Sequence, residues 1–105
     1  MATKKELTAF EEECYRLLEQ IPKGKVTTYK ALAEALGSNG ARAVGNACSK
    51  NPFAPKIPCH RVVKSDGQLG GYAFGINKKA KLLEQEGVSV SKNLKVDLKK
   101  HFYQF

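Results

Sequence analysis

Paired cysteines are missing. The 105 residues carry three, Cys14, Cys48 and Cys59, an odd count without a Cys-x-x-Cys pair. This excludes a disulfide framework and points to a reduced intracellular setting, cytoplasmic (at the nucleoid) or nuclear. No run approaches the roughly 20 apolar residues of a membrane span. The opening Met1-Ala-Thr-Lys-Lys-Glu lacks the apolar stretch of a secretory signal, so no membrane partner is expected. Zinc is not expected either, because Cys14, Cys48, Cys59, His60 and His101 lack paired ligand spacing. Internal repeats and low-complexity segments are absent. A length of 105 residues with 42% apolar content suits a single domain, 1–105, with one modest core.

Acidic residues are scarce where basic ones gather. Lys and Arg total 18 against 10 Asp and Glu, a formal net charge of +8. Residues 1–21 hold three basic and five acidic groups, residues 22–75 eight and two, and residues 76–105 seven and three. A basic middle and end beside an acidic first helix is the footprint of a phosphate-backbone binder, and equally of a lysine-rich solvated surface.

Leu7, Phe10, Cys14, Leu17, Leu18 and Ile21 recur at helical spacing, which predicts an amphipathic helix over 8–20 with a Thr8/Glu11 capping box, ended by Ile21-Pro22 and Gly24. Lys25 to Thr28 reads as extended, with threonines able to cap a helix over Tyr29–Leu36 that Gly37 stops. A tight turn at Ser38-Asn39-Gly40 leads to a second short helix, Ala41–Lys50, and the pair fits helix-turn-helix geometry. Three prolines within 52–58 rule out helix and make an ordered, extended connector. Arg61–Lys64 reads as a strand, Ser65-Asp66-Gly67 as a hairpin turn and Gln68-Leu69 as the return. A glycine-rich loop, Gly70 to Gly75, precedes a helix over Ile76–Glu86 that Gly87 ends. The expected fold is mainly α with a short β-hairpin, winged-helix-like around the helix-turn-helix. Residues 88–98 partly alternate, the tail His101-Phe-Tyr-Gln-Phe105 is aromatic, and His101 has no evident partner.

On the helix Ala41–Lys50, Val44, Ala47 and Cys48 share one face, while Arg42, Gly45, Asn46 and Ser49 share the other. The first set, like Cys14, reads as core. A base-reading helix usually carries several long polar side chains. This face has one arginine and small residues, which suits either an ordinary surface helix or close, sequence-independent approach to sugar and phosphate in a minor groove. The most chemical stretch is Ile57-Pro58-Cys59-His60-Arg61-Val62. A thiol attacks only as thiolate and needs a base or a positive field nearby. In extended backbone Cys59 and His60 point to opposite sides, so a bridging water is the easier relay. Glu84, Glu86 and Asp66 are the acidic candidates for holding the imidazole. The pair reads as structural or as catalytic.

Five motifs in order carry a resemblance: Ile21-Pro22-x-Gly24-x-Val26-x-x-Tyr29, Ala41-Arg42-Ala43-Val44-Gly45, Asn51-Pro52, Ile57-Pro58-Cys59-His60-Arg61-Val62 and Gly70-Gly71-Tyr72. The chain resembles the DNA-binding and active-site domain of the O6-alkylguanine-DNA alkyltransferases (methylated-DNA–protein-cysteine methyltransferases), from about Phe10 to Gly87, with 88–105 as a C-terminal tail. The resemblance implies that Cys59 is the alkyl acceptor and His60 the base that takes its proton through a water. Glu86 matches the carboxylate that orients the imidazole, and Tyr29 the phenol that donates to the guanine ring. Arg42 resembles the finger that enters the base stack, with Thr28, Gly45, Asn46 and Ser49 on the DNA side. Asn51 resembles a hinge that ties the recognition helix to the active-site loop, and Pro58 belongs to the rigid mount of Cys59. Tyr72, Ala73 and Phe74 wall the pocket, and Lys79 matches a supporting lysine. The implied partner is double-stranded DNA containing O6-alkylguanine, bound in the minor groove independently of sequence by a monomer without a cofactor, which repairs once per molecule.

Two traits resemble the alkyltransferase-like proteins, which bind O6-alkylguanine and flag it for nucleotide excision repair. The chain starts almost directly at the DNA-binding domain, whereas most alkyltransferases carry a further N-terminal domain. It also has Ala73-Phe74 after the pocket tyrosine, and Lys95 to Lys100 is similar to that branch. Those proteins usually have Trp or Ala in the place of Cys59. The alternative implied is a non-catalytic binder that recruits nucleotide excision repair proteins. A helix-turn-helix transcription regulator fits less well, because the second helix is poor in base-reading side chains and no dimerisation segment is evident.

Overall fold

A computed structural model describes residues 8–37, 40–53 and 56–105. The elements run α1 (Ala9–Leu18), β1 (Thr27–Thr28), α2 (Tyr29–Ala35), α3 (Ala41–Ser49), a 3-10 turn at Cys59–Arg61, β2 (Val62–Val63), α4 (Ile76–Gln85) and α5 (Leu98–His101). The architecture is mainly helical with a small two-stranded sheet.

The first helix starts where its capping box puts it. Thr8 Oγ1 accepts from the Glu11 amide and Glu11 Oε1 accepts from the Thr8 amide, each at 3.0 Å. Its apolar face buries Cys14, Tyr15 and Leu18, and the Tyr15 hydroxyl donates to the Ala47 carbonyl at 2.7 Å, tying α1 to α3. Thr28 caps α2 by accepting from the Ala31 amide at 3.0 Å. Leu32 and Ala33 of α2 and Val44, Ala47 and Cys48 of α3 join the same core, so the helix-turn-helix pair is fixed from beneath. Of the tight turn expected between them, Ser38 and Asn39 lie outside the described residues, as do Leu7 and, in the proline connector, Ala54 and Pro55.

The expected hairpin is replaced by two other pairings. β2 lies parallel to β1, with Thr27 opposite Val62 and Thr28 opposite Val63. Val62 and Val63 are both fully buried, each against a different core cluster, which suits a strand covered on both faces and not an alternating hairpin leg. The Ser65–Gly67 turn does form, closed by Lys64 N–H to Gln68 O at 2.8 Å. The return leg then pairs with 94–96: Leu69 N–H donates to Leu94 O at 3.1 Å, and Val96 N–H to Gly67 O at 2.8 Å. Gly67 is required there, since its φ is +92° and a Cβ would stand 2.6 Å from Val96 O. The alternating segment folds back on itself through a Val90–Val96 antiparallel bridge. Beyond it, α5 and the tail dock along β1: Val26 N–H donates to His101 O at 2.9 Å and Tyr103 N–H to Val26 O at 2.7 Å. His101 has a partner after all, its Nδ1 lying 3.2 Å from Gly24 O.

Candidate active site and nucleic-acid face

Asn51, immediately after α3, is buried and bends the chain toward the proline connector. Its Nδ2 donates to Ile57 O at 2.8 Å and its Oδ1 accepts from the Phe53 amide at 2.9 Å, while the side chain also hydrogen-bonds the Cys59 thiol. Buried Pro58 then leads into the 3-10 turn Cys59–Arg61, where extended backbone was expected. The turn places Cys59 on the wall of an open cleft of about 820 Å³, with 3% of the residue exposed. Tyr29, Arg42, Gly45, Ser49, Tyr72 and Ala73 line the same cleft. Burial pushes the Cys59 thiol up, against the Asn51 hydrogen bond and the charge of Lys79, so the group rests as a thiol and needs a base.

A buried imidazole follows Cys59 in the same turn. His60 is 2% exposed, and its Nε2 lies 3.0 Å from Glu86 Oε2 at the C-cap of α4. Of the three acidic candidates, Glu86 is the one brought to the ring. Burial pushes the imidazole down, with the Glu86 contact opposing, so the ring is neutral. Its Nδ1 is buried and makes no hydrogen bond among the described residues. Tyr72 stands edge-on to the ring at 6.3 Å between centroids and is itself pushed up to about 12 by burial.

Sequence reasoning passed over Arg61. Its Nε donates to Glu86 Oε1 and its Nη2 to Glu86 Oε2, both at 2.8 Å, and its Nη1 to Ile21 O at 2.6 Å. Burial alone would push Glu86 up, but the hydrogen bonds from Arg61 and His60 outweigh it and hold the carboxylate below its ordinary range. The local signal was there: an arginine directly after a Cys-His pair, in a chain with few acids to meet it.

Lys79 is fully buried on α4. Its Nζ donates to the carbonyls of Leu69 and Gly71, the latter at 3.0 Å, and lies 3.5 Å from the Tyr29 hydroxyl. Burial brings its pKa down to about 8, and the same cause pushes the Tyr29 phenol up. Lys79 thus braces the glycine loop and the phenol that both face the cleft. Cys48, read as core, also reaches the cleft wall and hydrogen-bonds Cys14 behind it.

On the outer face of α3, Arg42, Asn46 and Ser49 are exposed and Gly45 half-buried, the arrangement expected from the helix pattern. Thr28 differs: it is buried with its hydroxyl engaged in the α2 cap, so its side chain does not face outward. Phe74 is 58% exposed and packs edge-on to Tyr72 at 5.5 Å, outside the cleft lining. Among the described residues no group of three or more His, Cys, Asp and Glu is placed to hold a metal, and no helix is long and apolar enough to cross a membrane.

Comparison with known proteins agrees with this geometry. The family described as the 6-O-methylguanine DNA methyltransferase DNA binding domain matches residues 9–88, and the chain belongs to that family. A methylated-DNA–protein-cysteine methyltransferase of Candida glabrata is 42% identical over 104 residues, 91% of this chain and 50% of that protein. The crystal structure of Mycobacterium tuberculosis OGT in complex with DNA superposes with a TM-score of 0.75 at 44% identity, covering 77% of this chain and 50% of that one. Schizosaccharomyces pombe Atl1, solved with damaged DNA containing O6-carboxymethylguanine, superposes with a TM-score of 0.80 at 29% identity, covering 91% and 95%. The chain spans between 23% and 52% of the length of the first curated relatives it matches.

Proposed function

We propose that this chain, acting as a single domain over 1–105, repairs O6-alkylguanine in DNA by direct reversal, moving the alkyl group irreversibly to Cys59. The observation that carries the reading is the Cys59 thiol on the wall of an open cleft, in the same turn as a buried imidazole whose far nitrogen meets a carboxylate. His60 Nδ1 takes the thiol proton through a water. The Cys59 sulfur attacks the alkyl carbon, an S–C bond forms and the C–O6 bond breaks. Its electron pair stays on the guanine, where the Tyr29 hydroxyl donates to the ring as charge develops. No cofactor enters this balance. The thioether has no route back, so each molecule acts once.

To reach the thiol the base leaves the duplex, at a cost of a few kcal/mol, repaid by pocket contacts and by Arg42 entering the stack. The small face of α3 (Gly45, Asn46, Ser49) lies in the minor groove as a monomer, and the excess of basic residues supplies sequence-independent affinity, roughly micromolar or weaker on undamaged DNA at physiological salt. Asn51 acts as the hinge between α3 and the Cys59 turn, and Tyr72, Ala73 and Phe74 form the pocket wall and its rim. A free thiol acting on DNA is the chemistry of a protein working inside the cell, at the nucleoid or in the nucleus.

A second reading is a binder that flags the lesion for nucleotide excision repair proteins without transfer. It is favoured by the near-complete mutual coverage with Atl1. Intact mass after incubation with a duplex carrying one O6-methylguanine separates the two. Transfer adds one methyl group per chain, on the peptide containing Cys59. Tight, lesion-selective binding with no mass gain overturns the transferase and leaves the flagging protein, which Cys59→Ser then leaves intact.

A further inference from the structure

Glu86 is held on three sides. The C-cap of α4 fixes its backbone, its amide pointing at Leu82 O and Leu83 O, and Gly24 packs so closely on its carbonyl that a Cβ there would meet it at 3.4 Å. Its carboxylate is then gripped in a fork by Arg61 Nε and Nη2, while the third arm of the guanidinium is anchored on Ile21 O behind it. His60 meets an oxygen already claimed, sharing Oε2 with Arg61 Nη2. A bidentate arginine–carboxylate pair is neutral as a unit and fixed in plane. Adding a proton to the imidazole beside it would leave a net positive cluster, with the buried ammonium of Lys79 in the same α4 and only thiols and the phenols of Tyr29 and Tyr72 opposite. Because the paired carboxylate is an acceptor only, the single ring proton of neutral His60 sits on Nε2. The lone pair is left on Nδ1, which is buried and makes no hydrogen bond among the described residues.

We propose that Arg61 is a positioning residue that sets the resting tautomer of His60, holding Glu86 so that Nε2 carries the proton and Nδ1 is the free lone pair that receives the Cys59 proton. The role in transfer rests on the reading of Cys59 as acceptor; the tautomer does not. Without the guanidinium, the charge of Glu86 falls on His60 alone, the imidazolium persists to higher pH, and Nδ1 is occupied over that wider range.

The nitrogen-15 shifts of the His60 ring, followed against pH in the intact chain, test this directly. The wild-type ring is expected to show a protonated Nε2 and an unprotonated Nδ1 at pH 7; a protonated Nδ1 there overturns the proposal. In Arg61→Gln the titration is expected to move up by about one pH unit, and in Arg61→Lys, which keeps the cation but loses the fork, by less. An unmoved titration in a folded variant overturns it, and if Arg61→Gln does not fold, Arg61→Lys alone decides. Transfer to O6-methylguanine duplex supplies the second readout. The acid limb of the rate profile moves up with the imidazole by about one pH unit, so the deficit of Arg61→Gln approaches tenfold only on the acid side of the wild-type limb and closes to within about twofold at pH 9. Equal loss at all pH values overturns the positioning role. Absence of transfer in wild type, with the tautomer as described, overturns the repair reading and leaves the Arg61 assignment standing.

Discussion

Among the described residues Lys79 has no carboxylate partner: its Nζ meets three oxygens, two carbonyls and a phenol, none carrying charge. Its folded value of about 8 lies below the ordinary 10.5. Between those two values the unfolded chain binds a proton that the folded chain does not, so this group makes stability rise with pH across that window, by about 1.4 kcal/mol per unit of separation. Chemical denaturation of wild type and Lys79→Met at pH 7.5 and pH 10 is expected to show the gap between them widening in favour of wild type. A constant gap would mean that the lysine titrates normally. Tyr29 faces the same cleft, and its hydroxyl is the one phenolic donor braced by that ammonium. Tyr29→Phe is expected to slow transfer about a hundredfold while leaving the thermal midpoint within a few degrees, measured by single-turnover methyl transfer and by calorimetry. Both residues were named through the family resemblance, but periodicity and residue type alone do not single them out. A lysine within a lysine-rich helix looks like solvated surface, and only the fold turns Lys79 inward while Lys78 and Lys81 stay out.

At the scale of elements, α3 makes the sharpest case. A Cβ built on Gly45 meets nothing within 4 Å, so Gly45→Ala is expected to fold and to gain about 0.5–1 kcal/mol from helix propensity. Gly45→Leu is expected to fold as well but, on the proposed minor-groove contact, to hold the helix off the DNA and lower duplex affinity at least tenfold by fluorescence anisotropy. Retained affinity in Gly45→Leu would remove α3 from the DNA interface. Gly67 is the opposite case: with φ at +92° and Val96 O in the way, Gly67→Ala is expected to lower the thermal midpoint by several degrees. The four long helices were legible to within about two residues of each end, because capping boxes, glycine stops and helical periodicity are local signals. The Cys59-His60 stretch stood out by residue type and the outer face of Arg42, Gly45, Asn46 and Ser49 by helical periodicity, whereas Glu86 was singled out from Glu84 and Asp66 only by the family resemblance. The parallel β1–β2 pair was not legible, since each strand is two residues long and its partner lies 35 positions away in the chain (62 − 27). The turn at Ser65–Gly67 was read correctly, but a turn signal does not say which strand its far leg will join.

The whole molecule carries a formal net charge of +8, with 18 basic groups against 10 acidic ones. Binding to undamaged duplex is therefore expected to weaken linearly on logarithmic axes as salt rises, with a slope near −0.9 per phosphate neutralised. Arg42→Ala is expected to lower the rate on lesion duplex far more than it changes that slope, because its proposed place is in the base stack. Titrations at several salt concentrations check both, and a slope near zero would take the phosphate backbone out of the interface.

The Cys59–Arg61 turn leans on several other parts of the chain at once: Ile21 behind Arg61, Asn51 beside Cys59, Glu86 at the end of α4, and β1 alongside β2. None of these contacts is local, so a partly folded copy has no assembled site, and its thiols are ordinary ones. Under the proposed single-use chemistry, folding itself would then be a safeguard: the acceptor is not primed until the segments that surround it are in place.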